Sequence, residues 1–451
     1  MPWDGCELWT ADVKPDGTLH NARLVAGSAT ESVTQPEWSP DGVLHFVAEP
    51  DGWWNLYRWK DGRVESLHQM KAEFGEPHWV FNMFTYAFIS AEEILCTYTQ
   101  DGVWKLAHLI TSSKKFVPLE TQFTDISHVR SGKSFAAFLA GSPTQPFSVI
   151  RMDTKTGNME SLRQSFEITV PAGYFSIPES ITFPTTGGRE SHGFYYPPQN
   201  KDFVGREGER PPLMVISHGG PTSASGTTLR YSIQYWTSRG FAVLDVNYGG
   251  STGYGREYRQ RLNGNWGVVD VDDCCNGALY LVEKGLADRN RLAIRGGSAG
   301  GYTTLASLTF RPEVFKAGAS HYGLSELEFF AKDTHKFESR YLHSLIGKYP
   351  EQRDLYFQRS PINFLKNLSC PLILFQGDED RIVPQNQAQL MFEAVRAKEL
   401  PVAYLLFEGE QHGFRKSENI KRSLEAELYF YSKIFDFEPA DTIEPVNIEN
   451  L

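Results

Sequence analysis

The chain has 451 residues, 41% hydrophobic and 22% charged, a globular composition whose length exceeds one compact core, so two domains are expected. Its formal net charge of -11 argues against a nucleic-acid partner, which would want a basic face. No run approaches the roughly 18 apolar residues of a membrane span, and the start, MPWDGCELWT, lacks the layout of a secretion signal, so a cytoplasmic location without a membrane partner is expected.

Residues 1 to about 170 read as short strands separated by Pro-Asp-Gly or Asp-Gly turns at 15–17, 40–42, 50–52, 61–62 and 101–102. The phrases CELWTADV, WNLYRWKDG, VWKLAHLITSSKK and FSVIRMDTKTG align Leu8, Leu56, Leu106 and Val149, a period of about 45 residues, the length of one four-stranded propeller blade. The stretch QPEWSPDGVLHFVAEPDGWWNLY at 35–57 resembles the repeat of TolB-type and peptidase propellers, and about four blades fit the available length. An ordinary β-sandwich with Asp-Gly hairpins is the competing reading.

From about residue 176 apolar strands alternate with amphipathic helices, the pattern of a mostly parallel sheet covered on both faces. Strands are expected at LMVIS (213–217), FAVLDV (241–246), RLAIR (291–295), LILFQ (372–376) and VAYLLF (402–407). Ala388, Met391, Phe392 and Val395 fall on one helical face, as do Ile420, Leu424, Leu428 and Tyr431. Three segments follow: a partial propeller at 1–172, an α/β catalytic domain at 173–438, and a polar tail at 439–451 expected outside the packed helices. The five cysteines lack zinc or redox spacing and are expected to be reduced, with Cys274 and Cys275 buried in a helix.

The segment RLAIRGGSAGG places one serine among glycines where a strand should turn into a helix, the requirement of a nucleophile elbow. A side chain at Gly296 or Gly300 would clash there with neighbouring backbone. A phosphate-binding turn looks similar, but the Gly-x-Gly-x-x-Gly spacing is not met and no P-loop lysine follows. A serine hydroxyl needs a histidine base oriented by a carboxylate, and in such sheets these follow in the order acid, then histidine. Asp378, Glu379 and Asp380 compete for the acid role after LILFQ, and His412 stands after VAYLLF. His218 and His321 are rival bases away from the expected loop. HGGP at 218–221 follows the strand LMVIS, where a loop supplies one oxyanion donor, the second being the N–H of Ala299; each such donor is worth about 3 to 4 kcal/mol in the transition state.

With PPLMVISHGGPTS, VNYGGSTGYG, NWGVVDVDD, GGSAGGYTT, GDEDRIVP and GEQHGF, the second half resembles the prolyl oligopeptidase family of serine peptidases, in its acylaminoacyl- and dipeptidyl-peptidase-like branch. The resemblance implies an α/β hydrolase fold preceded by a propeller that filters short peptides. It implies Ser298 as nucleophile, His412 as base and Asp380 as orienting acid. Gly377, Asp380, Val383 and Pro384 fit the family's Gly-x-x-Asp-x-x-Val-Pro, with Asp378 the runner-up. The oxyanion hole maps to the N–H groups of Gly220 and Ala299. Gly249 stands where many relatives have arginine. Relatives carry a larger propeller, often of about seven blades, so the chain is read as shortened at its start, exposing a strand edge.

The expected activity is cleavage of short peptides, releasing acylaminoacyl or dipeptidyl units, with a carboxylesterase and an inactive scaffold as alternatives. Tyr322, Phe329 and Phe330 are candidate walls of an apolar specificity pocket. Neither a metal nor an organic cofactor is expected. Short peptides are the expected partners, with homo-oligomerisation left open.

Overall fold

A computed structural model describes residues 1–332 and 334–451 and divides into two units. The first comprises Met1–Pro171 together with Gly226–Arg230 and Thr252–Arg259. Its strands form consecutive antiparallel meanders: a two-stranded sheet, β1 (Cys6–Val13) and β2 (Leu19–Ser28), then three four-stranded sheets. These are β3 (Val33–Trp38), β4 (Leu44–Ala48), β5 (Asn55–Lys60) and β6 (Arg63–His68); β7 (Tyr86–Phe88), β8 (Glu93–Gln100), β9 (Val103–Ile110) and β10 (Lys115–Leu119); and β11 (Asp125–Ser131), β12 (Phe135–Ser142), β13 (Gln145–Asp153) and β14 (Met159–Gln164). The expected four blades thus comprise three complete sheets and one pair. The recurring leucine phrase marks the third strand of each complete sheet, β5, β9 and β13, and the same phrase is β1.

Local chemistry sets the turns. Between β3 and β4, Ser39 Oγ donates to Asp41 and accepts the Val43 N–H at 3.0 Å, while Gly42 takes φ 81°, a left-handed position glycine adopts without strain. Alternate residues point inward, so Leu44, Phe46, Ala48 and Tyr57 form one core cluster and Ile126, Val129, Phe138, Ile150 and Met152 belong to another.

Two stretches outside the first 171 residues complete this unit. Thr228 Oγ1 donates to Asp125 at 3.0 Å and Thr227 Oγ1 to Thr124 at 2.7 Å. Gly255 N–H donates to Glu73 at 3.0 Å, Arg259 pairs with Glu49 at 2.5 Å and lies 4.1 Å over the Trp54 ring, and Arg256 also pairs with Glu49. Burial pushes the fully enclosed Glu73 carboxyl up to about 7, against the opposing pull of Arg259.

The second unit holds an eight-stranded sheet in the order β15-β16-β18-β17-β19-β20-β21-β22. Its members are β15 (Glu179–Thr185), β16 (Arg189–Tyr196), β17 (Leu213–Ser217), β18 (Ala242–Asn247), β19 (Leu292–Gly297), β20 (Ala317–His321), β21 (Leu372–Gly377) and β22 (Val402–Phe407). β16 pairs antiparallel with both β15 and β18, and β18, β17, β19, β20, β21 and β22 run parallel. Five of the six parallel strands are the runs expected from the sequence, while β20 (AGASH) has no apolar run, and β18 and β21 are buried at every position, as helices on both faces require. Trp236, Phe241, Phe375, Phe430 and Tyr431 anchor the core on one side, each burial of this size being worth roughly 1.5–3 kcal/mol.

Two expectations change. Ile420 is 42% exposed, because it lies in the first turn of helix Ser417–Ile434, before that helix's apolar face meets the sheet at Leu428 and Tyr431. The tail is not outside the packing: Ile443, Val446 and Ile448 lie against the core, and Glu449 pairs with Val402 of β22 through N–H···O bonds of 2.9 and 3.0 Å. Its spaced apolar residues and an open sheet edge explain the docking. Among the described residues no helix is long and apolar enough to cross a membrane. Cys96, Cys274, Cys275 and Cys370 are buried free thiols, and Cys6 is half-buried.

Candidate active site

Ser298 stands alone between β19 and the helix Ala299–Phe310, at φ 56°, ψ -121°, backbone space that a non-glycine residue occupies only when its surroundings hold it there. Its N–H donates to the His321 carbonyl at 3.0 Å and its own carbonyl accepts the Tyr302 N–H at 3.0 Å. The glycines answer to close approach: a Cβ on Gly296 would lie 2.4 Å from the Gly300 carbonyl, and one on Gly300 2.0 Å from the Ser217 oxygen. β17 and β19 are adjacent, with Ser217 opposite Gly296, so the elbow and the HGGP loop leave the sheet side by side.

Asp380 and His412 arrive from the carboxyl ends of β21 and β22, where α/β sheets place ligands. The Asp380 side chain is fully buried. Its Oδ1 accepts the N–H groups of Ile382 and Val383 at 2.8 and 2.9 Å, and its Oδ2 accepts Gln376 Nε2 at 3.2 Å. The same Oδ2 lies 2.7 Å from His412 Nδ1, and His412 Nε2 lies 2.8 Å from Ser298 Oγ. A carboxylate can only accept, so Nδ1 carries the proton and the Nε2 lone pair faces the serine.

Both loops are braced. The Glu410 carboxylate accepts the Arg415 and Lys416 N–H groups at 2.9 Å each and Asn419 Nδ2 at 2.8 Å, while its carbonyl accepts the Glu379 N–H at 3.0 Å. Burial raises the Glu410 carboxyl, but these donors outweigh it and leave it below its ordinary value.

The loop after β17 sits against Ser298: a Cβ on Gly219 would lie 3.6 Å from Ser298 Cβ. Gly220 has φ 117°, open to glycine alone. Tyr248 Oη donates to the His218 carbonyl at 3.0 Å, and the Tyr341 hydroxyl accepts the Thr222 N–H at 3.1 Å. Ala299 is the first residue of its helix, so its N–H belongs to those a helix leaves without an internal partner, at the positive end of the dipole.

A family model described as the prolyl oligopeptidase family matches residues 227–438. The solved structure of a puromycin-hydrolysing peptidase from Mycobacterium tuberculosis is 41% identical, with a TM-score of 0.96 over 100% of this chain and 68% of that one. This chain belongs to the prolyl oligopeptidase family. A second solved structure, of a puromycin hydrolase, is 40% identical, with a TM-score of 0.94 over 99% of this chain and 68% of its own. Dipeptidyl aminopeptidase BIII of Pseudoxanthomonas mexicana is 34% identical over 47% of this chain and 31% of its own, and the acylamino-acid-releasing enzyme of Arabidopsis thaliana 31% identical over 46% and 28%. The chain thus matches less than a third of the length of these two curated relatives.

In this prolyl oligopeptidase-family chain the rival residues have other partners. Asp378 Oδ1 accepts the Gly409 N–H at 2.7 Å, tying the acid loop to the histidine loop. His218 places Nε2 2.7 Å from Ser251 Oγ and stacks on Tyr248, 4.3 Å between centroids. His321 is buried beside Arg295 and Glu427. Of the pocket candidates the structure brings Tyr322 to the site, its ring edge-on to His412 at 4.9 Å between centroids; burial pushes its phenol up. Phe329 and Phe330 lie on helix Leu327–Lys332, half-buried and buried respectively. The sequence reading missed Gln376, Glu410, Tyr248 and Tyr341. Of these only Glu410 had a local signal, an acid beside the histidine with N–H groups of a helix start close behind it.

Proposed function

We propose that the chain is a serine peptidase that cleaves short peptides, releasing acylaminoacyl or dipeptidyl units through an acyl-enzyme. The observation that carries the reading is the unbroken relay from Asp380 through His412 to Ser298, with spacings of 2.7 and 2.8 Å. Ser298 Oγ attacks the scissile carbonyl while His412 Nε2 takes its proton, and the imidazolium formed is held by the buried Asp380 carboxylate. The N–H groups of Gly220 and Ala299 receive the oxyanion, each contributing about 3 to 4 kcal/mol as charge develops. His412 then returns the proton to the leaving amine, and water repeats the sequence to free Ser298. Relatives named for dipeptidyl aminopeptidase activity, acylamino-acid release and puromycin hydrolysis support small substrates with one end close to the scissile bond.

A fluorophosphonate probe is expected to label Ser298 in the parent and not in Ser298→Ala, with loss of about a million-fold in turnover of peptide p-nitroanilides. Full amidase activity in Ser298→Ala refutes the assignment. Acyl-alanyl, dipeptidyl and internally quenched peptide reporters assayed side by side identify the unit released.

A further inference from the structure

Three charged or titratable side chains lie beneath the elbow, and the acyl-transfer steps use none of them. Arg295 stands on β19 three residues before Ser298, His321 ends β20, and Glu427 lies on helix Ser417–Ile434. Arg295 Nε is 3.1 Å from Glu427 Oε1, Arg295 Nη2 is 3.1 Å from His321 Nε2, and His321 Nε2 is 3.3 Å from Glu427 Oε2. The Glu427 side chain is fully buried and the other two are 14% and 7% exposed. Burying such charges opposes folding unless their mutual geometry is good, and apolar residues of the same volume often serve stability as well.

What distinguishes this cluster is its connection to the site. His321 is the residue whose carbonyl holds the Ser298 N–H. Its ring is fixed on two sides, by the ion pair and by a stack on Phe375 at 4.5 Å between centroids. The next residue, Tyr322, donates its N–H to the Phe375 carbonyl at 2.7 Å and presents its ring to His412. One backbone step therefore carries both the support of the nucleophile and the neighbour of the base. Burial raises the Glu427 carboxyl, yet the Arg295 guanidinium and the His321 ring outweigh it and hold it below its ordinary value, while burial lowers His321. The cluster thus holds a guanidinium, a carboxylate and an imidazole within 3.3 Å of one another.

We infer that Arg295 and Glu427 are positioning residues for the acyl-transfer reaction, which set the His321–Tyr322 step and through it the attack geometry of Ser298 and His412. The inference rests on Ser298 being the nucleophile. The ion pair fixes the imidazole, the imidazole fixes the carbonyl, and the carbonyl holds the strained serine.

The experiment compares the parent, Glu427→Gln and the double variant Arg295→Met/Glu427→Leu, with turnover expressed per fluorophosphonate-titrated site, so that unfolded molecules do not count. Glu427→Gln is expected to lower kcat per titrated site by about a hundredfold, the scale of a small misplacement of reacting groups, with KM within about twofold. The double variant removes both charges together and leaves none unpaired, so it is expected to melt near the parent while kcat per site stays low. A double variant with parental kcat per site would show that the pair serves folding alone and would overturn the inference. So would a parental kcat per site in Glu427→Gln. Absence of labelling in the parent is a different failure and sinks the serine assignment itself.

Discussion

Replacing Asp380 by asparagine changes one atom and tests the relay most sharply. Oδ1 of Asp380 accepts two backbone N–H groups, from Ile382 and Val383, and each bond to a charged acceptor is worth roughly 1.5–3 kcal/mol. The amide of Asp380→Asn therefore keeps its oxygen at that position and turns its NH2 toward Gln376 and His412. Gln376 Nε2 and the new NH2 are both donors, so their present 3.2 Å approach becomes a conflict that lowers stability by about 1–3 kcal/mol. The consequence for His412 is larger. Its Nδ1 must now accept, the proton moves to Nε2, and Nε2 faces Ser298 Oγ with a hydrogen where a lone pair is needed. A wrong tautomer of this kind lowers kcat by roughly four powers of ten, about 5.5 kcal/mol, and leaves KM nearly unchanged. The assay is steady-state hydrolysis of a peptide p-nitroanilide by protein whose folding is verified by thermal melting. Turnover above about a tenth of the parental value in folded Asp380→Asn refutes the tautomer argument.

Other perturbations follow from the same contacts. Gly300→Ala forces the Ser217 carbonyl, 2.0 Å from the new methyl, to retreat by more than about 1 Å, and kcat is expected to fall about a hundredfold; Gly205→Ala, with nothing within 4 Å of its methyl, is the control, and equal activities in the two variants refute the packing account. Tyr341→Phe removes the hydroxyl that accepts the Thr222 N–H beside the oxyanion loop and is expected to lower kcat about tenfold and to weaken binding of a boronate transition-state analogue, since a buried donor that loses its acceptor costs about 1–3 kcal/mol; unchanged boronate affinity counts against it. Glu73 titrates near 7 when folded against an ordinary value of 4.5. A folded value above the unfolded one means that its contribution is complete below the unfolded value and is lost as pH rises through about 7, a swing of up to about 3 kcal/mol. Glu73→Gln is accordingly expected to flatten the fall in melting temperature between about pH 5 and pH 8, and an unaltered slope rejects the assignment.

Five of the six parallel strands and the elbow were legible because each is a local pattern: β17 and β22 are unbroken apolar runs, and Ser298 is hemmed by glycines whose reason is contact with Ser217 and Gly300; β20, AGASH, offers no such run. Asp380 was separable from Asp378 only through the family motif, since both follow the same strand; the structure distinguishes them by partners, His412 for one and the Gly409 amide for the other. β15 and β16 were not read, because their half-polar alternation around Thr-Gly-Gly lacks the signature of a buried parallel strand. The pairing of Arg295 with Glu427 joins positions far apart in the chain, and no periodicity carries such information. The same holds for Tyr341 over Thr222.

The first unit draws on Thr252–Arg259 for its own closure, and this orders events on the ribosome. Glu49 and Glu73 are translated well before their guanidinium and amide counterparts, Arg256, Arg259 and Gly255. A nascent chain released at residue 171 would lack both guanidinium groups that face these two carboxylates. Vectorial synthesis therefore completes the contacts of the amino-terminal blades only after part of the hydrolase has been made. The last of those contacts becomes available at Arg259, roughly ninety residues beyond Pro171.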